Sequence, residues 1–323
     1  MITGCEAGTN ARTDLARPPS PGSTAYVANF GFDDQPGMTI AAVDVRTDHR
    51  EGSLTTGSLP SALAATPDGR LLLVTDQGDD NLAVIDTATG AVLAHIPTGV
   101  EPDAVAVSPD GKLALVANVD DDTVTPIDLT TLRAGRPIAV GARPDAVAIG
   151  GPAGRTALVA DLEASAVTPL DLATDTAGPS IPVGAEPDAV AISPDGATAF
   201  VANLGSNTVT PIDLATMRPG PSIVVGIGPT ALALSAAVPT TLWVTAGQDL
   251  VPLDIAASSA TIGTPIAIGH LAEAVALDPH GPTAWVAGQD ATVTPVDLAT
   301  GRPGLSIPVG GRPEAIVIPP PRR

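Results

Sequence analysis

Residues 103–108, DAVAVS, alternate alanine with aliphatic residues between two prolines, a short apolar run of strand length. The turn Ser108-Pro109-Asp110-Gly111 follows, with proline at its second position and glycine closing it. Residues 112–118, KLALVAN, then read as a second strand, and residues 123–129, TVTPIDL, alternate as a third that ends on an aspartate. Residues 136–141, RPIAVG, make a fourth. No helical period accompanies these strands anywhere in the chain, so the expected class is all-β.

The pattern repeats. EPDAVAVSPDGKLALVAN at 101–118 returns as EPDAVAISPDGATAFVAN at 186–203, with fourteen of eighteen positions identical. LVAN at 115–118 is echoed at 26–29, 73–76, 158–161, 200–203, 243–246 and 285–288. A second marker, the aspartate ending an apolar run, falls at Asp44, Asp86, Asp128, Asp171, Asp213, Asp254 and Asp297, in steps of 41 to 43. Seven units of about 42 residues with four strands each predict a seven-bladed β-propeller of antiparallel blades. The pattern starts at a second strand, TAYVAN, and finishes on an orphan first strand, Pro313-Glu-Ala-Ile-Val-Ile318. Joining the two completes one blade and closes the ring without an open inner edge. The expected organisation is therefore a disordered tether over 1–23, the propeller over 24–320 and a tail over 321–323.

Residue choice carries further expectations. The innermost strands, rich in Ala and Val, read as buried on both faces. Tyr26, Phe200, Trp243 and Trp285 share one position in the second strand and read as filler between blades. The marker aspartates read as caps of the turns that follow them. Prolines in the third strand (Pro126, Pro169, Pro211, Pro252 and Pro295) are out of place there, because proline cannot donate to a ladder.

The units resemble the YVTN family of propeller repeats, whose signature is echoed by YVAN, LVTD and WVTA, over residues 24–320. The resemblance implies the seven-bladed fold and a functionally mixed family. Propellers of this architecture include lactonases, streptogramin lyases and quinone-dependent dehydrogenases, whose sites use histidines, metals or aromatic stacking.

Charge narrows the function. The chain carries 35 acids against 15 bases, a net −20, which disfavours nucleic-acid or anionic-lipid binding. No apolar run reaches the eighteen or so residues of a membrane span. The single Cys5 excludes an intramolecular disulfide and a cysteine-cluster metal site. Ile2-Thr3-Gly4-Cys5 matches a bacterial lipobox, although the basic and apolar regions of a signal peptide do not precede it. A lipid on Cys5 would be the one membrane contact and would place the protein at the cell envelope or outside it; the alternative is a frayed terminus on a cytoplasmic protein. A monomer is expected.

In a meander the loops alternate between two faces. The face holding the loops into the first strand and between the second and third, called the top, collects nineteen acids against Arg143 and Arg312 alone. The residues opening the innermost strands are Glu314, Ser61, Asp103, Asp145, Asp188, Thr230 and Glu273 around the ring. Five carboxylates and two hydroxyls would encircle the channel mouth, a setting in which Asp103, Asp145 and Asp188 could hold calcium, the one cofactor suggested. The bland alternative is a set of solvated carboxylates balanced in part by Arg143 and Arg312. The first blade's loop, FGFDDQPGM at 30–38, is longer than its counterparts and adds Phe30, Phe32, Asp33 and Asp34 to the same face. Asp120, Asp121 and Asp122 extend its acidity.

Two function classes result. A non-catalytic scaffold would bind a cation, a cationic small molecule or a protein partner on the acidic face. The other class is a lactonase- or lyase-type enzyme using a metal, or His270 beside Glu273. No GxSxG, HExxH or glycine-rich phosphate loop is present.

Overall fold

Each repeat closes as an antiparallel meander because its apolar positions alternate and its turns are chemically fixed. In the third repeat, Pro102–Val107, Leu113–Asn118 and Thr123–Asp128 pair in sequence order. Ser108 Oγ donates to Asp110 Oδ1 at 2.6 Å, and the Gly111 amide donates to the Ser108 carbonyl at 2.8 Å. Gly111 adopts φ +70°, a conformation that favours glycine. The computed structural model describes residues 23–32, 35–151, 154–234, 240–255 and 260–322. Cys5 and residues 1–22 of the expected tether lie outside the described residues, as do Asp33 and Asp34, whereas Ser23 is buried and its carbonyl accepts from the Val45 amide at 2.9 Å.

Seven such sheets form a seven-bladed propeller. The first blade is composite: Pro313–Val317 is its inner strand and pairs with Thr24–Phe32, which pairs with Gln35–Asp44 and then His49–Thr55. Val27 lies opposite Ile316, and the Phe30 amide donates to the Arg312 carbonyl at 2.8 Å. Residues beyond this strand cross the underside of the second blade. There the Arg322 guanidinium donates to Asp86 Oδ1 at 2.9 Å and to Thr87 Oγ1 at 3.0 Å.

The core lies between blades, in the second and third strands. Tyr26 packs with Leu72, Val74 and Ala83 of the next blade, and Trp285 packs with Ala25, Val27 and Val43 across the closure. Phe200 is buried likewise, whereas Trp243 is half-buried. The innermost strands are less buried than their composition suggests. Asp103, Ala104 and Ala106 are only partly covered, because this strand lines an open channel instead of a packed axis.

The marker aspartates cap their turns as expected: Asp128 Oδ1 accepts from the Thr130 and Thr131 amides at 2.7 and 3.1 Å, and Asp213 Oδ1 from the Ala215 and Thr216 amides at 2.9 Å. The fourth strand differs from its expected form. In the third blade it is two fragments, Arg133–Ala134 and Ile138–Ala139, pairing with opposite ends of the third strand. Pro126 faces the gap with no N–H to offer, and its carbonyl instead accepts from the Gly135 amide at 2.7 Å. The outer strand splits in all five blades with this proline. It runs unbroken, as His49–Thr55 and Val92–Pro97, where Ala42 and Val84 take the proline's place.

Candidate binding site at the channel mouth

The loops of the top face fix the mouth before any ligand enters. In the second, third and fifth blades, two adjacent residues between the second and third strands clamp the loops entering and leaving the blade. In the second blade Asp79 Oδ2 accepts from the Ser58 amide at 2.8 Å, and Asp80 Oδ1 from the Glu101 amide at 3.0 Å. In the third, Asp121 Oδ2 accepts from the Val100 amide and Asp122 Oδ1 from the Arg143 amide, both at 2.8 Å. Ser206 and Asn207 do the same in the fifth with neutral groups. The clamp holds Leu59, Glu101, Arg143 and Glu186 at φ of 52–56°, left-handed for non-glycine residues and costing about 1 kcal/mol each. Asp121 and Asp122 are thus structural clips in this arrangement rather than free ligand groups, while Asp120 is exposed beside them.

Within this frame a funnel of about 600 Å³ opens at the channel mouth. Its lower tier is the ring of strand-opening residues: Ser61, Asp103, Asp145, Asp188, Thr230, Glu273 and Glu314 all line it. The two hydroxyls are committed to neighbouring blades: Ser61 Oγ donates to the Pro102 carbonyl and Thr230 Oγ1 to the Ala272 carbonyl, each at 3.0 Å. Arg312 pairs with Glu314 at 3.1 Å and Glu273 at 3.6 Å, so one guanidinium is shared by the two carboxylates on that side of the ring. Arg143 reaches out to Glu163 at 4.0 Å and only partly offsets the acids beneath it.

The remaining side holds three carboxyls from three successive blades. Asp145 lines the funnel with Asp103 and Asp188, and the charges of Asp145 and each of its two neighbours act on one another. Like charges at close range disfavour each other's ionisation. Burial, then repulsion from Asp145, pushes Asp188 up to about 8. Burial and the charges of Asp145 and Glu314 push Asp103 to about 7. Asp145 is raised by burial, with its two carboxyl neighbours and Arg143 working against the rise. Across the ring, burial holds Glu314 at about 7 despite Arg312. Among the described residues no group of three or more His, Cys, Asp or Glu is arranged to hold a metal ion.

An upper tier, of which only Phe30 stood out in the sequence, is formed by the residue that follows five of the seven LVAN-type motifs. Phe30, Gln77, Leu162, Leu204 and Gln289 line the funnel from this position. Gln77 Nε2 donates to Asp103 Oδ1 at 3.3 Å, and Gln289 Nε2 donates to Glu273 Oε1. Leu162 and Leu204 belong to the blades of Asp145 and Asp188 and supply no polar group. Phe32 ends its strand on this face, with its side chain outside what is described.

His270 is not part of the mouth. Its ring is buried in the seventh blade, with Nε2 2.9 Å from Thr294 Oγ1. In the third and fifth blades an asparagine fills this space: Asn118 and Asn203 donate to Thr125 and Thr210, each at 2.9 Å. The seventh blade has Gly288 there, and the imidazole occupies the vacancy. The enzyme reading therefore loses His270 as its base.

The fold and site define a repeat-built seven-bladed propeller with a tiered, acid-rich funnel at one end of its channel. Residues 30–155 match the family model of the YNCE-like beta-propeller, and together with the seven-bladed ring this supports a YncE-like propeller family for the chain. No curated protein matches the chain in sequence. Among solved structures it is similar to a functionally unknown protein from Desulfotomaculum acetoxidans, at 16% identity and a TM-score of 0.82 over 93% of this chain and 99% of that one. It is also similar to the periplasmic gluconolactonase of Pseudomonas aeruginosa, at 18% identity and a TM-score of 0.75 over 91% and 98%. Hydrazine synthase of Kuenenia stuttgartiensis aligns at 22% identity and a TM-score of 0.72 over 81% and 90%.

Proposed function

We propose that the chain is a binding propeller that takes a small cationic ligand, or a cationic group of a partner, in the acidic funnel. The observation that carries this is the convergence of Asp103, Asp145 and Asp188 on one side of the mouth, where Arg143 gives only partial compensation. A bound cation would offset the mutual repulsion of the three carboxyls and favour their ionised forms. Binding should therefore release protons and strengthen as pH rises through the raised carboxyl range. The test is calorimetric titration with spermidine, calcium and magnesium at fixed ionic strength, at pH 6 and pH 8.5. Tighter binding at pH 8.5 that Asp145→Asn abolishes supports the reading, and no binding by any of the three at either pH refutes it. In this reading a lipid on Cys5 tethers the funnel outside the cell. Labelled palmitate should enter the protein expressed with the codons upstream of Met1 and not its Cys5→Ala form.

A second reading, lactone hydrolysis, is favoured by one observation: proton-bearing carboxyls with pKa values near neutrality stand in the same funnel as Arg143 and Arg312. The likeness to a gluconolactonase extends to the fold alone. Hydrolysis of glucono-δ-lactone above the spontaneous rate, lost in Asp188→Asn, supports it; a rate equal to buffer removes it.

A further inference from the structure

We infer that the funnel selects an alkylammonium group, a protonated amine carried on an unbranched aliphatic chain. The inference rests on the cation-binding reading above and adds the ligand class. The two tiers supply different chemistry to one ligand. On the second and seventh blades the upper tier is polar and already engaged, with Gln77 on Asp103 and Gln289 on Glu273. Arg312 occupies Glu273 and Glu314 from the same side. On the fourth and fifth blades the upper tier is aliphatic. Leu162 shares the funnel wall with Asp145 of its own blade and Leu204 with Asp188, both leucines half-buried, while Phe30 adds a third apolar wall and Arg143 stands in the same lining. A ligand bound at Asp145 and Asp188 therefore has aliphatic surface beside the acids.

That order of groups discriminates among cations. Calcium and magnesium need a shell of oxygens, and Leu162 and Leu204 offer none beside the acids. An ammonium group needs only three acceptors, which Asp145 and Asp188 present, and its methylenes gain by covering the leucines. A chain lying on the leucines gains up to about 0.8 kcal/mol per methylene removed from water, roughly fourfold in affinity. A funnel of about 600 Å³ is in the size range of small-molecule sites and accommodates such a chain.

The test is calorimetric titration of the full chain at pH 8.5 with the chlorides of ammonium, ethylamine, propylamine and pentylamine, and with calcium chloride at matched ionic strength. Affinity should rise two- to fourfold per methylene, and pentylamine should bind more tightly than calcium. Leu162→Ser combined with Leu204→Ser should flatten the chain-length series while leaving ammonium binding in place. Should the double variant not fold, the series on the parent protein decides alone. Amines that bind with no dependence on chain length, or calcium binding above pentylamine, overturn the alkylammonium assignment and leave the cation reading standing. Failure of every amine and of calcium removes the cation reading, and this inference with it.

Discussion

Asp76→Asn should stabilise the protein, and by more at high pH than at low. Asp76 ends the second strand of the second blade, fully buried, and its Oδ1 accepts from Thr56 Oγ1 at 2.8 Å. Its Oδ2 is buried without a hydrogen-bond partner. The matching Asp161 has both oxygens served, by the Gly141 amide at 3.1 Å and by Thr168 Oγ1 at 2.6 Å. In the second blade the residue in the place of Thr168 is Ala83, and the hydroxyl is missing. Burial, reinforced by the charge of Asp79, pushes Asp76 up to about 7 against the opposing Thr56 and Gly57 bonds. A carboxyl raised in the folded state costs nothing below its unfolded pKa near 4. The cost grows as pH rises and is complete above about 7. Three pKa units set a ceiling of about 4 kcal/mol at pH 8. The substituted amide recovers less, because it lacks the threonine acceptors that Asn118 uses. It keeps the Asn81 carbonyl, the counterpart of the Thr123 carbonyl that Asn118 Nδ2 reaches at 3.3 Å. A net gain of about 2 kcal/mol at pH 8 and under about 1 kcal/mol at pH 5 is expected. Equilibrium urea unfolding at both pH values, followed by circular dichroism, reads the difference. An equal shift at the two pH values, or a loss of stability at pH 8, would refute the reasoning.

Three further outcomes follow from the same geometry. Gly288→Asn should destabilise by more than about 2 kcal/mol, because a Cβ there would stand 2.1 Å from His270 Nδ1. Adding His270→Ala should restore most of the loss by freeing Thr294 for the new amide, as a thermal melt of both variants would show. Arg322→Gln should lower stability by about 1 kcal/mol through its bonds to Asp86 and Thr87, and an unchanged urea midpoint would show that the terminal segment is not held there. The parent protein should lose stability as pH rises from about 4 to about 8, because Asp103, Asp188 and Glu314 keep their protons in the folded state over a range where the unfolded chain has lost them. Asp188→Asn should flatten that slope in urea titrations, and a slope unchanged by it would mean that the mouth carboxyls do not titrate as a cluster.

The ring, its count of blades and its closure were legible because two sequence markers kept one period and the chain's ends supplied complementary strands. The outer strands were legible only in part. The proline two residues before each marker aspartate looked misplaced in a third strand, yet its position is what divides the neighbouring strand: Pro126, Pro169, Pro211, Pro252 and Pro295 accompany split outer strands, and Ala42 and Val84 do not. The information was present, but it acted on the partner strand and not on the one that contained it. Local pattern reading has no term for such a cross-strand effect. The same applies to the buried position ending each second strand. Asn118, Asp161 and Asn203 each bond the threonine directly before the proline of the third strand, and Asp161 Oδ2 is served by it; in the second blade Ala83 takes that threonine's place and Asp76 Oδ2 is left unpartnered.

The mouth shows where counting charges by face stops being informative. Asp79, Asp80, Asp121 and Asp122 add four acids to the top face beside the five of the channel ring, yet each is bound to a backbone amide of a connecting loop. What separates them from Asp103, Asp145 and Asp188 is the partner, amide in one case and carboxyl in the other, and sequence gives the acid without the partner. Leu162 and Leu204 escaped notice for the opposite reason: one leucine after a strand is unremarkable until the ring brings it into one wall with an acid of its own blade. Repetition makes both facts consistent. Seven equivalent positions share one backbone path, so a change of side chain at one of them alters the funnel wall and little else. The ring supplies fixed places, and the few non-equivalent residues at the mouth, acid on three blades, hydroxyl on two and ion-paired on two, give the funnel its unequal sides.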